Sequence, residues 1–185
     1  MRERGLMARA PRRFRVMTDS AHPLRIASNL LQQDFDLDEP NHVWAGDITY
    51  VWTAQGSCYL AVLLDLFSRR VVGWAFADHM PRELPLKALR RALEARSPAA
   101  GLIHHSDRAS QYASREYRNA LLAHQVACSM SRAGDYYDNA VAESFFASLK
   151  KKCLSRTHFA TRTEAYEAVA SYMDGFSVRR HSALG

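Results

Sequence analysis

Three acidic residues stand where a folded chain could use them for chemistry: Asp47, Asp107 and Glu143. Asp47 lies inside an apolar, strand-like segment from Val43 to Trp52, where a charge is costly unless it is paired or binds a metal. Asp107 follows a short apolar stretch, and Glu143 lies one turn into a predicted helix. Because sites in open α/β sheets collect at the carboxyl ends of strands, Asp107 is well placed for a site.

Three carboxylates brought together repel one another unless a cation neutralises them. Oxygen ligands without accompanying Cys or His favour Mg²⁺ or Mn²⁺. Two such ions, about 3.5–4 Å apart, can support phosphoryl transfer without a covalent enzyme intermediate. Simpler roles stay open, since Asp107 could cap a turn before Ser110 and Glu143 could be a first-turn acid that favours the helix dipole. Spacing alone therefore makes metal-dependent phosphoryl transfer a hypothesis.

Cysteine and histidine patterns disfavour other chemistries. The three cysteines form no CxxC pair, which argues against a disulfide framework or a Cys-rich zinc site. The eight histidines form neither an HExxH nor an H-x(3–5)-H unit, so a zinc hydrolase is disfavoured. This cysteine usage fits a reducing cytoplasm. No apolar run is long enough to span a bilayer, so no membrane partner is expected.

The net charge of +6 is concentrated at the two ends of the chain, which flank a mildly acidic centre. Basic ends favour a polyanionic partner, most simply nucleic acid, although a solvated charged surface is the alternative. Phosphate contacts would give salt-sensitive affinity with little sequence information. The candidate DNA-binding residues are Lys150, Lys151, Lys152, Arg179 and Arg180, with Arg108 and Arg132 nearer the carboxylates.

Hydrophobic periodicity predicts the order βββαβαβαα. The predicted strands are 43–52, 57–65, 70–77, 101–105 and 125–130. The predicted helices are 84–93, 114–124, 139–153, with Asp138 or Asn139 as N-cap, and 162–176, while 26–33 is compatible with a short helix. Early strands followed by βα alternation predict an α/β fold, a mixed five-stranded sheet with helices on both faces.

Several segments also resemble the OrfB-type transposases of bacterial insertion sequences, whose catalytic domain is the retroviral-integrase-like DDE core. The resemblance covers nearly the whole chain, and 35 residues separate Asp107 from Glu143, the spacing of the D,D(35)E class. The segments that carry it are Pro40-Asn-His-Val-Trp-Ala-Gly-Asp-Ile-Thr-Tyr50, Tyr59-Leu-Ala-Val-Leu-Leu-Asp-Leu-Phe-Ser-Arg69, His104-His-Ser-Asp-Arg108 and Tyr137-Asp-Asn-Ala-Val-Ala-Glu-Ser-Phe-Phe146.

The resemblance implies a ribonuclease-H-like fold in which Asp47, Asp107 and Glu143 form the metal-binding catalytic triad, with two Mg²⁺ or Mn²⁺ ions. It makes Lys150 a DNA contact near that site. Its substrates would be the terminal repeats of the element and target DNA, and its reactions strand cleavage by water and joining by a 3′-hydroxyl. It also implies a bacterial cytoplasmic protein that forms homo-oligomers on DNA and could act with a separate helix-turn-helix subunit.

The domain organisation expected from this resemblance has three parts. Residues 1–41 are a basic arm and linker, corresponding to the tail of a helix-turn-helix region. Residues 42–160 are the integrase-like core, and residues 161–185 are a C-terminal helix and basic tail of the same domain. Two alternatives remain: a ribonuclease-H-like nuclease without joining activity, and an inactive remnant or DNA-binding regulator of the parent element.

Overall fold

The structure, a computed structural model, describes residues 23–31, 37–79, 82–131, 140–155 and 157–181, with side chains as far as residue 176. Five strands and four α-helices follow in the predicted order. The strands are β1 (Val43–Thr53), β2 (Gly56–Asp65), β3 (Val71–Ala77), β4 (Ile103–Ser106) and β5 (Ala127–Met130). The helices are α1 (Glu83–Arg96), α2 (Arg115–Ala123), α3 (Ala140–Leu149) and α4 (Arg162–His181).

The strands form one mixed sheet of order β3-β2-β1-β4-β5. The first three strands are antiparallel neighbours joined by short turns. β4 runs parallel to β1, and β5 runs parallel to β4, with α1 connecting β3 to β4 and α2 connecting β4 to β5. The central strand β1 is therefore the junction between the antiparallel and parallel halves of the sheet.

Helices cover both faces of the sheet, which confirms the predicted layers. On one face, Trp44 and Ile48 of β1 pack in a cluster with apolar side chains of α1 and α2. On the other face, Val51 of β1 packs with residues of α3 and α4, including Phe145 and Leu149. Because side chains alternate along a strand, one strand supplies both cores.

Local signals set the helix boundaries. The hydroxyl of Ser114 accepts a hydrogen bond from the Tyr117 N–H at 3.3 Å, which caps the N-terminus of α2. Ser97 takes a left-handed conformation at the end of α1, and its N–H donates to the Leu93 carbonyl. α1 and α4 extend beyond the predicted 84–93 and 162–176, because their last turns carry no chain-breaking residue.

Two local predictions differ from the structure. The described residues 23–31 contain no helix, so a helix over 26–33 is wrong in that range. Instead, this segment bonds to β5: the Leu30 N–H donates to the Ser129 hydroxyl at 2.9 Å, and the Met130 N–H donates to the Ser28 carbonyl at 3.5 Å. The helix predicted over 139–153 becomes α3 followed by a π-helical turn, Lys150–Leu154. The predicted caps Asp138 and Asn139 lie outside the described residues.

Candidate active site

Asp47 lies in the middle of β1, immediately beyond the residues that pair with β4. Its half-buried side chain is oriented by the backbone, since one carboxylate oxygen accepts a hydrogen bond from the Ile48 N–H at 2.7 Å. The strand continues through apolar residues on either side, so its position is fixed by the sheet. A carboxylate is thus held at the centre of the fold.

Asp107 directly follows Ser106, the last residue of β4. Ser106 is the parallel partner of Gly46, so Asp47, within β1, and Asp107, just past the end of β4, stand at the same level of neighbouring strands. One oxygen of Asp107 accepts from the Ala109 N–H at 3.0 Å. Asp107 therefore caps the turn after β4, which is the simpler of the two roles expected from the sequence. The same hydrogen bond orients its carboxylate.

Glu143 lies in the first turn of α3, and its side chain is exposed. α3 is anchored on the sheet by Phe145 and Leu149. Lys150 follows on the exposed side at the start of the π-helical turn. α3 and the π-helical turn therefore carry an acidic and a basic side chain, Glu143 and Lys150, along the edge of the core in which Asp47 lies.

Electrostatics links these side chains. The pKa of Asp47 is raised from 3.8 to about 7, first by burial and then by the negative charges of Asp107 and Glu143, against the lowering effects of the Ile48 N–H and of Lys150. Each of these groups must therefore lie within electrostatic reach of Asp47. A carboxyl with such a strongly shifted pKa is typical of a functional site.

Tyr112 is a neighbour of the carboxylates to which sequence reasoning gave no role. Burial first, and then Tyr117 and the charges of Asp47 and Asp107, raise the pKa of its phenol well above the usual value. Among the described residues, its buried hydroxyl has no hydrogen-bond partner. Tyr112 therefore lies beneath the site as an apolar ring with an unsatisfied polar end. Its aromatic character within Ser110-Gln-Tyr112 was the available sequence signal.

Gly46 is required by the packing beside the site. A Cβ at this position would lie 2.7 Å from Nε2 of His104, closer than real contacts allow. His104 is fully buried, and its Nε2 is 2.9 Å from the hydroxyl of Tyr117. The second histidine of β4, His105, is also buried, with ring nitrogens 2.8 Å and 3.0 Å from the hydroxyls of Ser129 and Ser131. These histidines support the strand ends.

The donor set fits a hard divalent cation, because it consists of carboxylate oxygens with mutual repulsion to relieve. Within the described ranges, no three His, Cys, Asp or Glu side chains lie close enough together to hold one ion as they stand. Glu143, the carboxylate carried by α3, is exposed. Metal binding by all three carboxylates would thus require their side chains to come closer together than they stand.

The candidate DNA-binding residues are placed differently from one another. Lys150, Lys151 and Lys152 are exposed on the π-helical turn. Arg108 is half-buried, and its Nε donates to the Ser131 carbonyl at 2.8 Å, which ties the Asp107 turn to the end of β5. Arg132 and the side chains of Arg179 and Arg180 lie outside the described residues. No helix in the described part of the chain is apolar and long enough to cross a membrane.

The mixed five-stranded sheet with helices on both faces defines a ribonuclease-H-like fold. Its solved neighbours include the catalytic core domain of the HTLV-2 integrase in complex with magnesium (TM-score 0.51, 20% identity, 60% of this chain and 68% of that chain). A second is a simian T-cell lymphotropic virus intasome in complex with a PP2A regulatory subunit (TM-score 0.55, 22% identity, 69% of this chain and 42% of that chain). These likenesses confirm the predicted fold.

The chain belongs to the integrase core domain family, which matches residues 38–135 and, through a second family of the same description, residues 124–185. It is 44% identical over 187 residues to the transposase InsF for insertion sequence IS3A of Escherichia coli (strain K12), covering 100% of this chain and 65% of InsF. It is also 44% identical to an uncharacterized 31 kDa protein of insertion element IS600 from Shigella sonnei, covering 100% and 68%. The resemblance to insertion-sequence transposases is confirmed, over about two thirds of the length of InsF.

Proposed function

We propose that this chain is the catalytic domain of a DDE transposase, which cleaves DNA and joins strands at insertion-sequence ends with the help of divalent metal ions. The observation that carries the proposal is the placement of Asp47 and Asp107 at the same level of neighbouring parallel strands, with Glu143 within electrostatic reach. The similarity to InsF supports DNA as substrate.

In this proposal, the carboxylates of Asp47, Asp107 and Glu143 hold Mg²⁺ or Mn²⁺. When bound, two such ions lower the pKa of water and stabilise the charge of the leaving oxygen in an in-line attack at phosphorus. The Ile48 and Ala109 N–H groups orient the carboxylates of Asp47 and Asp107. Lys150 lies within electrostatic reach of Asp47, where its charge would attract a DNA phosphate.

The remaining basic side chains would bind phosphates farther along the DNA. Lys151 and Lys152 share the exposed π-helical turn with Lys150, so they extend the same positive surface. Arg108, Arg132, Arg179 and Arg180 stay in the proposal as DNA contacts on the strength of the sequence. Homo-oligomers on DNA, a separate helix-turn-helix subunit and a cytoplasmic location likewise stay predictions.

The test is a strand-transfer assay with labelled DNA that carries the ends of the parent element. With Mg²⁺ or Mn²⁺, we expect nicked and joined products from the wild type, and a loss of at least about a thousandfold in Asp107→Asn. Glu94→Gln, on an exposed position of α1, is the matched control and should keep full activity.

Three outcomes contradict the proposal in different ways. Nicked products without joined ones indicate a ribonuclease-H-like nuclease. DNA binding without metal-dependent cleavage indicates a regulator or an inactive remnant. Activity of Asp107→Asn at the wild-type rate removes Asp107, and with it the triad, from the mechanism.

A further inference from the structure

The edge of β1 that faces β4 is paired along only part of its length. β4 pairs with Val43–Gly46, at the beginning of β1. At the other end, Thr53 forms an isolated bridge with Phe159, and the Ala54 N–H donates to the Phe159 carbonyl at 2.9 Å. Between these points, no strand of the described chain pairs with residues 47–52 on this edge.

A groove with a volume of about 680 Å³ lies against this open edge. One wall is formed by Tyr50 to Ala54 at the end of β1, and the other by Lys150, Leu154, Ser155 and residues 157–159. Ligand sites in proteins commonly measure about 300–1,000 Å³, so the groove has room for a nucleotide. Its walls combine aromatic rings with hydroxyl, imidazole and ammonium groups.

Trp52 gives the groove an exposed aromatic surface. Its side chain is 53% exposed, although indole is usually among the more buried side chains. The Tyr50 ring contacts it edge to face, with 5.0 Å between centroids, and the Nζ of Lys150 lies 5.9 Å from the centroid of Tyr50. An aromatic platform beside a cation is the arrangement on which unpaired nucleic-acid bases stack.

The groove adjoins the candidate active site. Lys150 both lines the groove and lies within electrostatic reach of Asp47. Tyr50 stands three residues beyond Asp47 on the same strand, roughly 10 Å away, and the two side chains leave opposite faces of β1. Lys150 connects the two positions, because its Nζ lies 5.9 Å from the centroid of the Tyr50 ring and its charge acts on Asp47. A DNA strand that passes Lys150 around the open edge of β1 can therefore reach Asp47 with a phosphate and the groove with a nearby base.

We propose that this groove binds an unpaired base of the DNA strand that enters the active site, with the base stacked on Trp52 and a flanking phosphate beside Lys150. The base must be unpaired because both faces of a base inside a duplex are covered by its neighbours. Ser155, Thr157 and His158 supply hydrogen-bonding groups along the opposite wall. The proposal rests on the proposed function in one respect, that DNA is the substrate.

The test measures binding of the full chain, in EDTA, to duplex DNA with a tail of five thymidines and to the same duplex with an abasic tail. We expect the wild type to prefer the thymidine tail about 5- to 150-fold, the usual range for one stacked base. Trp52→Ala should lose this preference, and Trp52→Phe should keep most of it because a ring remains.

The matched control is Phe67→Ala. Phe67 is 42% exposed and follows Leu66, whose N–H donates to the Val43 carbonyl at the opposite end of β1 from Trp52. This variant should bind both tails as the wild type does. A wild type that binds the two tails equally, or a Trp52→Ala variant that keeps the preference, would overturn the proposal.

Binding in EDTA requires no catalysis, so the two proposals can fail separately. If the chain prefers the thymidine tail but never cleaves DNA, the base-binding groove is supported and the transposase function is contradicted. If the chain joins strands but binds both tails equally, the transposase function is supported and the base-binding groove is contradicted.

Discussion

Gly46 and Ser106 are partners in the parallel pairing of β1 with β4. Each is followed by an aspartate, so this one pair of residues sets Asp47, within β1, and Asp107, just past the end of β4, at the same level of the sheet. Gly46 also has no room for a Cβ, because His104 packs against it. A larger residue at position 46 would therefore disturb the packing directly beside the two carboxylates.

Asp47→Asn should stabilise the metal-free protein at pH 8. Burial and like charges raise the pKa of Asp47 to about 7 from its ordinary 3.8, so its ionised form destabilises the folded state at pH 8. An amide of the same shape removes that cost, and we expect a gain of about 1–3 kcal/mol in the free energy of unfolding. Urea unfolding in EDTA measures it.

Added Mg²⁺ or Mn²⁺ should reverse this difference and make the wild type more stable than Asp47→Asn. Metal that binds only the folded state raises the melting temperature of the wild type, because the ion neutralises the repulsion between the carboxylates. Asp47→Asn should show little of this rise, whereas Glu94→Gln should show all of it. An equal rise in Asp47→Asn and the wild type would place the metal elsewhere.

Lys150→Ala should weaken DNA binding and make it less sensitive to salt. One phosphate contact contributes close to one counterion, so the slope of log K against log salt should become shallower by about 1. Lys87→Ala is the control, since Lys87 is exposed on α1, which covers the other face of the sheet. Fluorescence anisotropy at several salt concentrations gives both slopes, and an unchanged slope in Lys150→Ala contradicts the contact.

Asp65→Ala should destabilise the fold without touching the site. The buried carboxylate accepts hydrogen bonds from the Asn41 N–H at 2.6 Å and from the N–H and hydroxyl of Ser68, both at 2.7 Å. Leaving these donors unpaired should cost roughly 2–4 kcal/mol, whereas Glu94→Ala on the surface should cost less than about 0.5 kcal/mol. Urea unfolding compares them, and equal losses would show that the turn tolerates unpaired donors.

Stability should fall between pH 7 and pH 5 because of His104. Burial first, and then His105, lower the pKa of His104 to about 3, well under its ordinary 6.5. Between these values the unfolded chain binds a proton that the folded chain does not, so the folded state loses roughly 2 kcal/mol on going from pH 7 to pH 5.

Asp47 acts in the opposite direction over this interval, since its raised pKa makes the folded chain take up the extra proton. The measurement is therefore made in the Asp47→Asn background. There, the free energy of unfolding should fall toward pH 5, and adding His104→Gln should remove most of that fall. An equal fall in the single and double variants would exclude His104 as its source.

The sequence predicted the sheet well because its signals are local. Alternating apolar residues and the Thr53-Ala-Gln-Gly56 segment between them defined β1 and β2 almost to the residue. The helix predicted over 26–33, before β1, was wrong because this segment, despite its apolar residues at helical spacing, instead bonds to Ser129 of β5, a partner far away in sequence. Local propensity carries no information on such a partner.

The candidate site, too, could be predicted from the sequence only in part. The positions of Asp47, Asp107 and Glu143 in their elements followed from pattern, and their joint role followed from resemblance and stays a proposal. The groove could not be foreseen, because its walls come from the end of β1 and from residues more than 90 positions further along the chain, which are joined to β1 by the Thr53–Phe159 bridge and the Ala54–Phe159 hydrogen bond. Trp52 offered one signal, as a large aromatic residue next to a turn.

The eleven residues of β1 stand beside only four in β4. This difference in strand length leaves the second half of β1 without a paired strand on the β4 side in the described part of the chain, as a step in the sheet. The length of this unpaired edge is set by the number of residues in β4. Six more residues in β4 would fill it with backbone and leave Trp52 against a neighbouring strand. Two fewer would undermine the register on which the aspartates depend, so insertions and deletions here are far more consequential than substitutions.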